Sequence, residues 1–381
     1  MQTLRWRRIL SFTGLQQSGS TPRSRQFAIL TICALIVAAL SSPSPSQLSH
    51  TAAYPRSLGD LELYEKIAKR VGEGHNYYPV AADLQRQNRF PLRPFFTVRL
   101  PSLAYYAGYL GPTATFASAA LLAIANCAIW FRAITFARPA ERVVIAFLVG
   151  VSSITVGKAI YLHEWWAGVL VSMSLGLFVR RSSLWWLVPA GAALLVREFS
   201  VLFLLAALTL RWRRHAAREV ALACTMLALF SNALAAHYVE VRIFSRPNDL
   251  SSQGWLGLHG LIQPVIDLQR MLPVDLIEPW GTLLVLVPLI GWSEVAHRQD
   301  ILPLLWFSGF LFLVAVGART DNIFWVRMVL PAYMAGLALV PRAIAAAIAK
   351  PDCRLHDDEP CPAQNSLPRP FEKVIRTPQE L

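Results

Sequence analysis

The sequence predicts an all-α, polytopic membrane protein with about ten transmembrane helices and a long first outer loop. The 381-residue chain is 55% hydrophobic and only 15% charged, and its mean hydropathy is +0.42. A soluble domain typically has about 25% charged residues. Apolar runs of about 15 to 20 residues recur from Phe27 to Ile348, and this length is typical of segments that cross a bilayer.

The charge distribution divides the chain and argues against a nucleic-acid partner. The net charge is +13, but the basic residues form short clusters between apolar runs. Such clusters are typical of cytoplasmic loops rather than of a nucleic-acid groove. We expect a cytoplasmic segment over residues 1–26, a multi-span membrane domain over residues 27–348, and a cytoplasmic tail over residues 349–381. The proline-rich, polar composition of this tail predicts disorder.

The amino-terminal region combines a basic segment with the first apolar run. Residues 1–26 contain several arginines and no acid, residues 27–40 are apolar, and Pro43 and Pro45 follow at once. The pattern fits a cleaved signal peptide or an uncleaved first span, and we favour the span because the basic segment is long. Either interpretation leaves the amino terminus inside, so residues 45–99 form the first outer loop.

The first outer loop contains one predicted helix followed by irregular chain. Over residues 60–72, Leu61, Tyr64, Ala68 and Val71 share one face. Basic residues occupy another face, and this pattern is typical of a helix that lies in the membrane interface. Four prolines, Pro79, Pro91, Pro94 and Pro101, predict an irregular remainder. Residues 100–111 are expected to run along the interface and to end at Gly111-Pro112.

Seven apolar runs after this loop predict individual spans. They cover residues 114–131, 143–157, 165–179, 217–238, 280–296, 301–318 and 323–341. Residues 239–279 then form a second outer loop. With the first span and a short helical pair, these runs make about ten crossings with both termini in the cytoplasm.

The predicted topology depends on whether residues 183–210 form one long helix or a pair of short helices. Residues 183–210 fit one long helix with Arg197-Glu198 at its centre, or two short helices that meet at this dipeptide. Thirteen residues of helix reach only about 20 Å, less than the roughly 30 Å of the hydrocarbon core. Central charges cost several kcal/mol, and the basic clusters at both ends of the stretch belong on the inside, so we favour the pair.

Acidic and basic residues collect at the predicted outer ends of four separate segments. Ionisable residues at such positions are functional candidates. A structural interpretation exists for each: an acid in a first helical turn is favoured by the helix dipole, and the other residues can form ordinary ion pairs. Tryptophans near these positions fit an interfacial belt or sugar-binding platforms. The candidates are Asp60, His163, Glu164, Arg197, Glu198, Arg319 and Asp321.

Three short motifs give the chain a family resemblance. The order GDLELY (59–64), FPLRPFF (90–96) and RLPSLA (99–104) resembles the first outer loop of GT-C membrane glycosyltransferases. The most similar branch is the protein mannosyltransferase and aminoarabinose transferase-like group, and the resemblance covers roughly residues 25–200. The chain departs from this group because Leu61 follows Asp60 where a second acid is common, and because it lacks an obvious soluble carboxy-terminal domain.

The resemblance implies a fold, a reaction and roles for the candidates. It implies a GT-C-like fold and a polyprenyl-phosphate-linked sugar donor used on the outer face of the bacterial inner membrane. The acceptor would be a glycan, a lipid or a protein. Asp60 would be the catalytic base that activates the acceptor hydroxyl, with an inverting outcome. Arg99 and Arg197 would bind the phosphate.

The remaining candidates would contact the substrate. Glu164 and Glu198 would bind sugar hydroxyls or a divalent cation, the possible cofactor, and His163 would serve either role. Arg319 and Asp321 would also line the substrate site. The rival interpretation is a transporter or lipid flippase of envelope glycan biosynthesis, in which the same charges form a substrate path. A non-catalytic envelope assembly protein that docks through the outer loop is a further alternative.

Overall fold

The computed structural model describes residues 59–155, 157–181, 184–254, 257–258, 260–272, 280–319 and 321–348. The predicted first span, the beginning of the first outer loop, Trp255 and the carboxy-terminal tail lie outside these residues.

The described chain is predominantly helical. Its helices are α1 (Asp60–Gly72), α2 (Tyr77–Gln87), α3 (Ser102–Ala133), α4 (Pro139–Ser152), α5 (His163–Val179), α6 (Leu187–Val196), α7 (Ser200–Arg213), α8 (Ala217–Phe244), α9 (Ile262–Met271), α10 (Trp280–Leu286), α11 (Pro288–Arg298), α12 (Leu302–Gly317), α13 (Leu330–Tyr333) and α14 (Val340–Ile348). Short 3₁₀ turns lie at Phe95–Thr97, Gly157–Tyr161, Ile323–Met328 and Met334–Leu339.

Helix length and composition support a membrane protein. Within the described residues, four helical stretches are long and apolar enough to cross a bilayer: Phe95–Ala133, Ala217–Phe244, Trp280–Arg298 and Leu330–Ile348. The apolar helices α6 and α12 are shorter. No strand forms in the described part of the chain, where the single β-bridge joins Arg93 to Ser251. The all-α prediction is therefore confirmed for these residues, whereas the count of about ten crossings stays a prediction.

Helix α1 forms where the sequence predicts it, but it packs differently. Asp60 and Glu62 lie in its first turn and Lys69 and Arg70 in its last, which suits the helix dipole. Its buried face is Leu63, Ile67, Ala68 and Val71, whereas Leu61 and Tyr64 are half-buried. This face packs on the start of α3, where Gly72 and Gly108 bring the two backbones together. The apolar face of α1 is therefore covered by protein, and its position at the membrane interface stays a prediction.

The chain after α1 is more regular than the prolines suggest. Residues 77–87 form α2, and the Asn76 side chain caps it by accepting a hydrogen bond of 3.0 Å from the backbone N–H of Tyr78. Pro79 lies in the first turn, where backbone N–H groups have no helical partner, so it does not break the helix. The expectation of an irregular chain is wrong for α2 and right for most of residues 88–101.

Two predicted breaks occur where the sequence places them. The long helix α3 is interrupted at Gly111, whose φ of 73° is outside the helical region, and Pro112 follows. Helices α6 and α7 are separated at Arg197, Glu198 and Phe199. At the opposite ends of this pair, Trp186 and Arg211 both contact Glu219 over 2.8 Å. The two helices therefore form a hairpin with Arg197-Glu198 at its tip, and the prediction of a short pair is confirmed.

The last predicted span is broken rather than continuous. Residues 323–348 pass through a 3₁₀ turn, α13, a second 3₁₀ turn and α14. Pro331 and Pro341 cannot extend a preceding α-helical hydrogen-bond ladder. Gly336 packs so closely on α11 that a Cβ atom there would lie 2.2 Å from the carbonyl oxygen of Pro288. Close backbone packing of this kind is typical of helix contacts in membranes.

The helix bundle has two chemically distinct ends. At one end, Gln299 donates to the carbonyl oxygens of Ala133 and Val179 over 2.7 and 3.0 Å, and Arg214 pairs with Asp300 over 2.7 Å. We call this the arginine end, because it gathers Arg132, Arg138, Arg180, Arg213, Arg214, Arg298 and Arg342. The beginning of α5, the tip of the α6–α7 hairpin and the beginning of α1 meet at the other end.

Candidate functional site

A cavity at the end opposite the arginine end brings together residues from distant parts of the chain. The space in it that is open to water-sized molecules is about 80 Å³. Five of the candidate site residues predicted from the sequence line this cavity, and they come from four separate segments: Asp60, Arg99, Arg197, and Arg319 with Asp321. The lining residues are Asp60, Tyr64, Gln85, Phe90, Pro91, Thr97, Arg99, Arg197, Ser252, Arg319, Asp321, Asn322 and Trp325.

Asp60 lies in the cavity wall as the first residue of α1. Its carboxylate is half-buried, and its place in the first helical turn stabilises the negative charge through the helix dipole. Tyr64 follows one turn later, and its hydroxyl accepts a hydrogen bond of 3.2 Å from Nε of Arg99. Burial raises the pKa of Tyr64 to about 12 although the charge of Arg99 opposes this shift, so the phenol stays neutral at physiological pH.

A buried charge network lies behind the cavity wall. Oε1 of Glu164 contacts Nη2 of Arg99 over 3.2 Å and Nε of Arg197 over 2.9 Å. Arg197 also pairs with Glu198, the next residue at the hairpin tip. The side chains of Glu164 and Arg197 are 2% and 1% exposed. Glu164 therefore compensates two arginines without facing the cavity itself, and it differs in this respect from Asp60.

His163 lies apart from the main cavity. Its ring packs edge-on against Tyr64, with 4.9 Å between the ring centroids. It lines a separate small cavity with Ile67, Leu103 and Tyr161. The structure thus brings His163 near the site but behind Tyr64, so direct contact with a ligand in the main cavity would require Tyr64 to move.

Arg319 and Asp321 complete the wall from the segment that follows α12. Nε of Arg319 lies 3.7 Å from a carboxylate oxygen of Asp321. Nη1 of Arg319 donates to Oε1 of Gln253 over 3.0 Å. Trp325 follows in the same segment, and its ring meets Phe199 edge-on at 4.7 Å. Trp325 is 4% exposed and Trp165 is 1% exposed, so these tryptophans are core or cavity residues rather than belt aromatics.

Three successive carbonyl groups hold the segment that carries Arg99. The oxygen of Thr97 accepts from Nε2 of Gln85 over 3.3 Å, and the oxygen of Arg99 accepts from the Tyr77 hydroxyl over 2.6 Å. Between them, the oxygen of Val98 lies 3.1 Å from Nε2 of His237. A carbonyl oxygen can only accept, so Nε2 of His237 carries the hydrogen. Helices α2 and α8 together fix this backbone, and Arg99 with it.

Five buried polar atoms of the lining residues lack hydrogen-bond partners among the described residues. Two of them, Nε of Arg197 and Nε of Arg319, lie 2.9 and 3.7 Å from a carboxylate oxygen. The other three are Oε1 of Gln85, Nη2 of Arg197 and Nδ2 of Asn322. Leaving such a group unpaired costs about 1–3 kcal/mol. Unpaired donors and an acceptor on the walls of one cavity are what a polar ligand or water would satisfy.

Sequence reasoning missed Gln85 and the contribution of Trp325 to the cavity. A signal for Gln85 was present: Asn76 is a good helix cap, and Tyr77, Ala81 and Gln85 recur every four residues on one face. For Trp325, the apolar neighbours in the sequence gave no indication that its segment would fold back onto the first outer loop.

A metal site is not evident in the part of the chain that the structure describes. No group of three or more His, Cys, Asp or Glu side chains is placed there to hold a metal ion. Asp60 and Asp321 are the two carboxylates of the cavity lining. Comparisons with known proteins add no identity, since no family model, no curated protein and no solved structure matches this chain.

Proposed function

We propose that this chain is an integral membrane glycosyltransferase that moves a sugar from a polyprenyl-phosphate-linked donor to an acceptor. The observation that carries the proposal is the cavity in which two carboxylates, Asp60 and Asp321, lie with three arginines: Arg99, Arg197 and Arg319. A base beside fixed positive charge suits a reaction in which a hydroxyl is deprotonated while an anionic leaving group departs. The GT-C resemblance of the first outer loop points to the same chemistry.

In the proposed reaction, Asp60 accepts the proton of the acceptor hydroxyl as its oxygen attacks the anomeric carbon. The new glycosidic bond forms while the bond from the anomeric carbon to the phosphate oxygen breaks. The leaving group departs as polyprenyl phosphate, and the anomeric configuration inverts. A half-buried carboxylate suits this role because partial desolvation favours proton uptake.

The arginines divide into positioning and binding groups. Arg99 is engaged by Tyr64 and Glu164, so it sets the shape and charge of the wall. Arg197 retains a buried Nη2 without a partner among the described residues, and we assign it to the phosphate together with Arg319. Arginine suits a phosphate because its planar donors match the spacing of the oxygens.

The proposed orientation follows from the two ends of the bundle. The arginine end would face the cytoplasm, as basic loops do in inner-membrane proteins. Both chain termini would then be cytoplasmic, and the cavity would open to the outer face, where the acceptor glycan, lipid or protein is found. Four helical stretches long and apolar enough to cross a bilayer support a membrane location, and the bacterial inner membrane belongs to the proposal.

The replacement of Asp60 by asparagine tests the reaction. We expect D60N to lower glycan transfer in isolated membranes by about 100-fold or more, since general base catalysis contributes about 10²- to 10⁴-fold. Glu62→Gln is the matched control, because Glu62 lies on the same helix and pairs with exposed Lys158 over 3.3 Å. Transfer by D60N at the wild-type rate would show that Asp60 is not the base. The transporter interpretation would be favoured if the wild type shows no transfer reaction and D60N loses lipid transport.

A further inference from the structure

One buried amide that lines the cavity, Gln85, has an acceptor oxygen without a hydrogen bond in the described chain. Gln85 is 4% exposed and lines the cavity together with Asp60. Its Nε2 donates to the carbonyl oxygen of Thr97 over 3.3 Å. Its Oε1 is buried and has no hydrogen-bond partner in the described chain. An acceptor left in this state is costly, so its presence in a cavity wall points to a bound donor.

The neighbours of Gln85 determine that the amide oxygen, and not the amide nitrogen, is the group without a hydrogen bond in the described chain. If the amide were turned over, its oxygen would face the carbonyl oxygen of Thr97, and two acceptors would oppose each other. The Asn76 cap and the bond from the Tyr77 hydroxyl to the carbonyl oxygen of Arg99 fix helix α2, and the bond from Nε2 to Thr97 orients the Gln85 side chain. The structure therefore presents a rigid acceptor rather than an adaptable polar group.

The chemistry of the other walls separates two parts of a ligand. Nη2 of Arg197 and Nδ2 of Asn322 are donors, and they match the oxygens of a phosphate. A phosphate diester has only acceptors at neutral pH, so it cannot satisfy Oε1 of Gln85. The group that reaches Gln85 must carry its own N–H or O–H. Phe90 and Trp325 line the same cavity and add apolar surfaces that suit the faces of a sugar ring.

We propose that Gln85 recognises a hydroxyl or amino group on the sugar that the phosphate carries. This inference rests on the proposed function and makes Gln85 a specificity-determining residue. A site built to accept a hydrogen bond from a substrate rejects analogues that lack the donor far more strongly than an apolar pocket does. The amide would thus select the sugar while Asp60 and the arginines serve the transfer step.

Binding without turnover tests this inference. The full-length protein in lipid nanodiscs is titrated with farnesyl phosphate and with its glucosyl, mannosyl and aminoarabinosyl esters. We expect at least one ester to bind about tenfold or more tightly than farnesyl phosphate. Gln85→Met keeps a similar volume but removes the acceptor, and it should abolish most of this preference, a loss of about tenfold or more. The affinity for farnesyl phosphate itself should change by less than about twofold.

The control variant and the contrary outcomes are equally specific. Gln87→Met lies on the same helix but is exposed, and it should keep the wild-type preference. The inference is overturned if the wild type binds all four probes alike, or if Q85M keeps the preference. Should Q85M fail to fold, deoxy analogues of the preferred ester are tested on the wild type, and no loss with any of them overturns it as well. The transfer assay tests Asp60 as the base, whereas the binding assay tests Gln85 as the sugar-recognising residue. Because the binding ratios do not depend on turnover, a negative result in one assay is distinguishable from a negative result in the other.

Discussion

At the scale of single residues, Glu164 has the largest expected effect on stability. It is a 2%-exposed carboxylate between Arg99 and Arg197, and its removal leaves buried positive charge without compensation. We expect Glu164→Ala to lower the free energy of unfolding by about 3–5 kcal/mol. Thermal unfolding in detergent micelles measures this change.

The matched control for Glu164 is an acid in a solvated pair. Glu73 contacts Arg70 over 3.4 Å, and both side chains are about half exposed, at 42% and 57%. Glu73→Ala should therefore cost less than about 1 kcal/mol. Equal effects of the two substitutions would show that the network behind the cavity wall is not a buried ion cluster.

Asp249 gives the fold a predictable dependence on pH. Burial alone would raise the pKa of this carboxyl, but hydrogen bonds from Arg86 and from the backbone N–H of Arg246 hold its pKa below the usual value. The ionised carboxylate therefore stabilises the folded state above the unfolded pKa of about 4. This contribution is lost as the pH falls through the lower, folded pKa.

The Asp249 prediction is checked by melting the wild type and Asp249→Asn between pH 7 and pH 3. The variant should be less stable at pH 7, by about 1–3 kcal/mol, and the difference should shrink below pH 4. A constant difference over this range would contradict the assignment. Other acids contribute equally to both proteins, so subtraction isolates Asp249.

At the scale of elements, the contact between α1 and α3 determines where Asp60, the proposed base, lies. A Cβ atom on Gly108 would lie 2.5 Å from the carbonyl oxygen of Ala68, so Gly108→Ala must push the two helices apart. Overpacking of this kind costs about 1–3 kcal/mol. Because α1 carries Asp60, a shift of about 1 Å should also lower transfer by roughly 100-fold.

Gly309 on α12 provides the matched control for Gly108. A Cβ atom at Gly309 would meet nothing within 4 Å, and alanine has the better helix propensity. Gly309→Ala should leave activity unchanged and stability unchanged or slightly higher. Assays of melting temperature and of transfer on both variants decide whether the close approach at Gly108, rather than helix propensity, positions α1.

At the scale of the whole molecule, the two ends of the bundle predict sidedness. His75 lies exposed between α1 and α2 at the cavity end, and Ala140 lies exposed at the arginine end. In a background without the five native cysteines, we expect His75→Cys to react with a membrane-impermeant maleimide added to intact cells. Ala140→Cys should react only after the membrane is opened. The reverse pattern would place the cavity in the cytoplasm and remove the proposed outer-face reaction.

Local sequence patterns were enough to predict the all-α class, the helix at Asp60, the break at Gly111 and the hairpin tip at Arg197-Glu198. Each of these follows from local rules: hydrophobic runs set helices, Gly-Pro interrupts them, and charges are excluded from the centre of an apolar span. The same local rules misjudged α2, because one proline was weighed without the asparagine cap before it.

Tertiary structure alone decided which charges face the cavity and which lie behind its wall. Glu164 and Asp60 look alike in the sequence, yet Asp60 lines the cavity while Glu164 lies behind its wall and compensates two arginines. Gln85 became a candidate only because α2 folds against the segment that carries Arg99. Pairing of this kind joins residues a dozen or more positions apart, and local patterns hold no information about distances between helices.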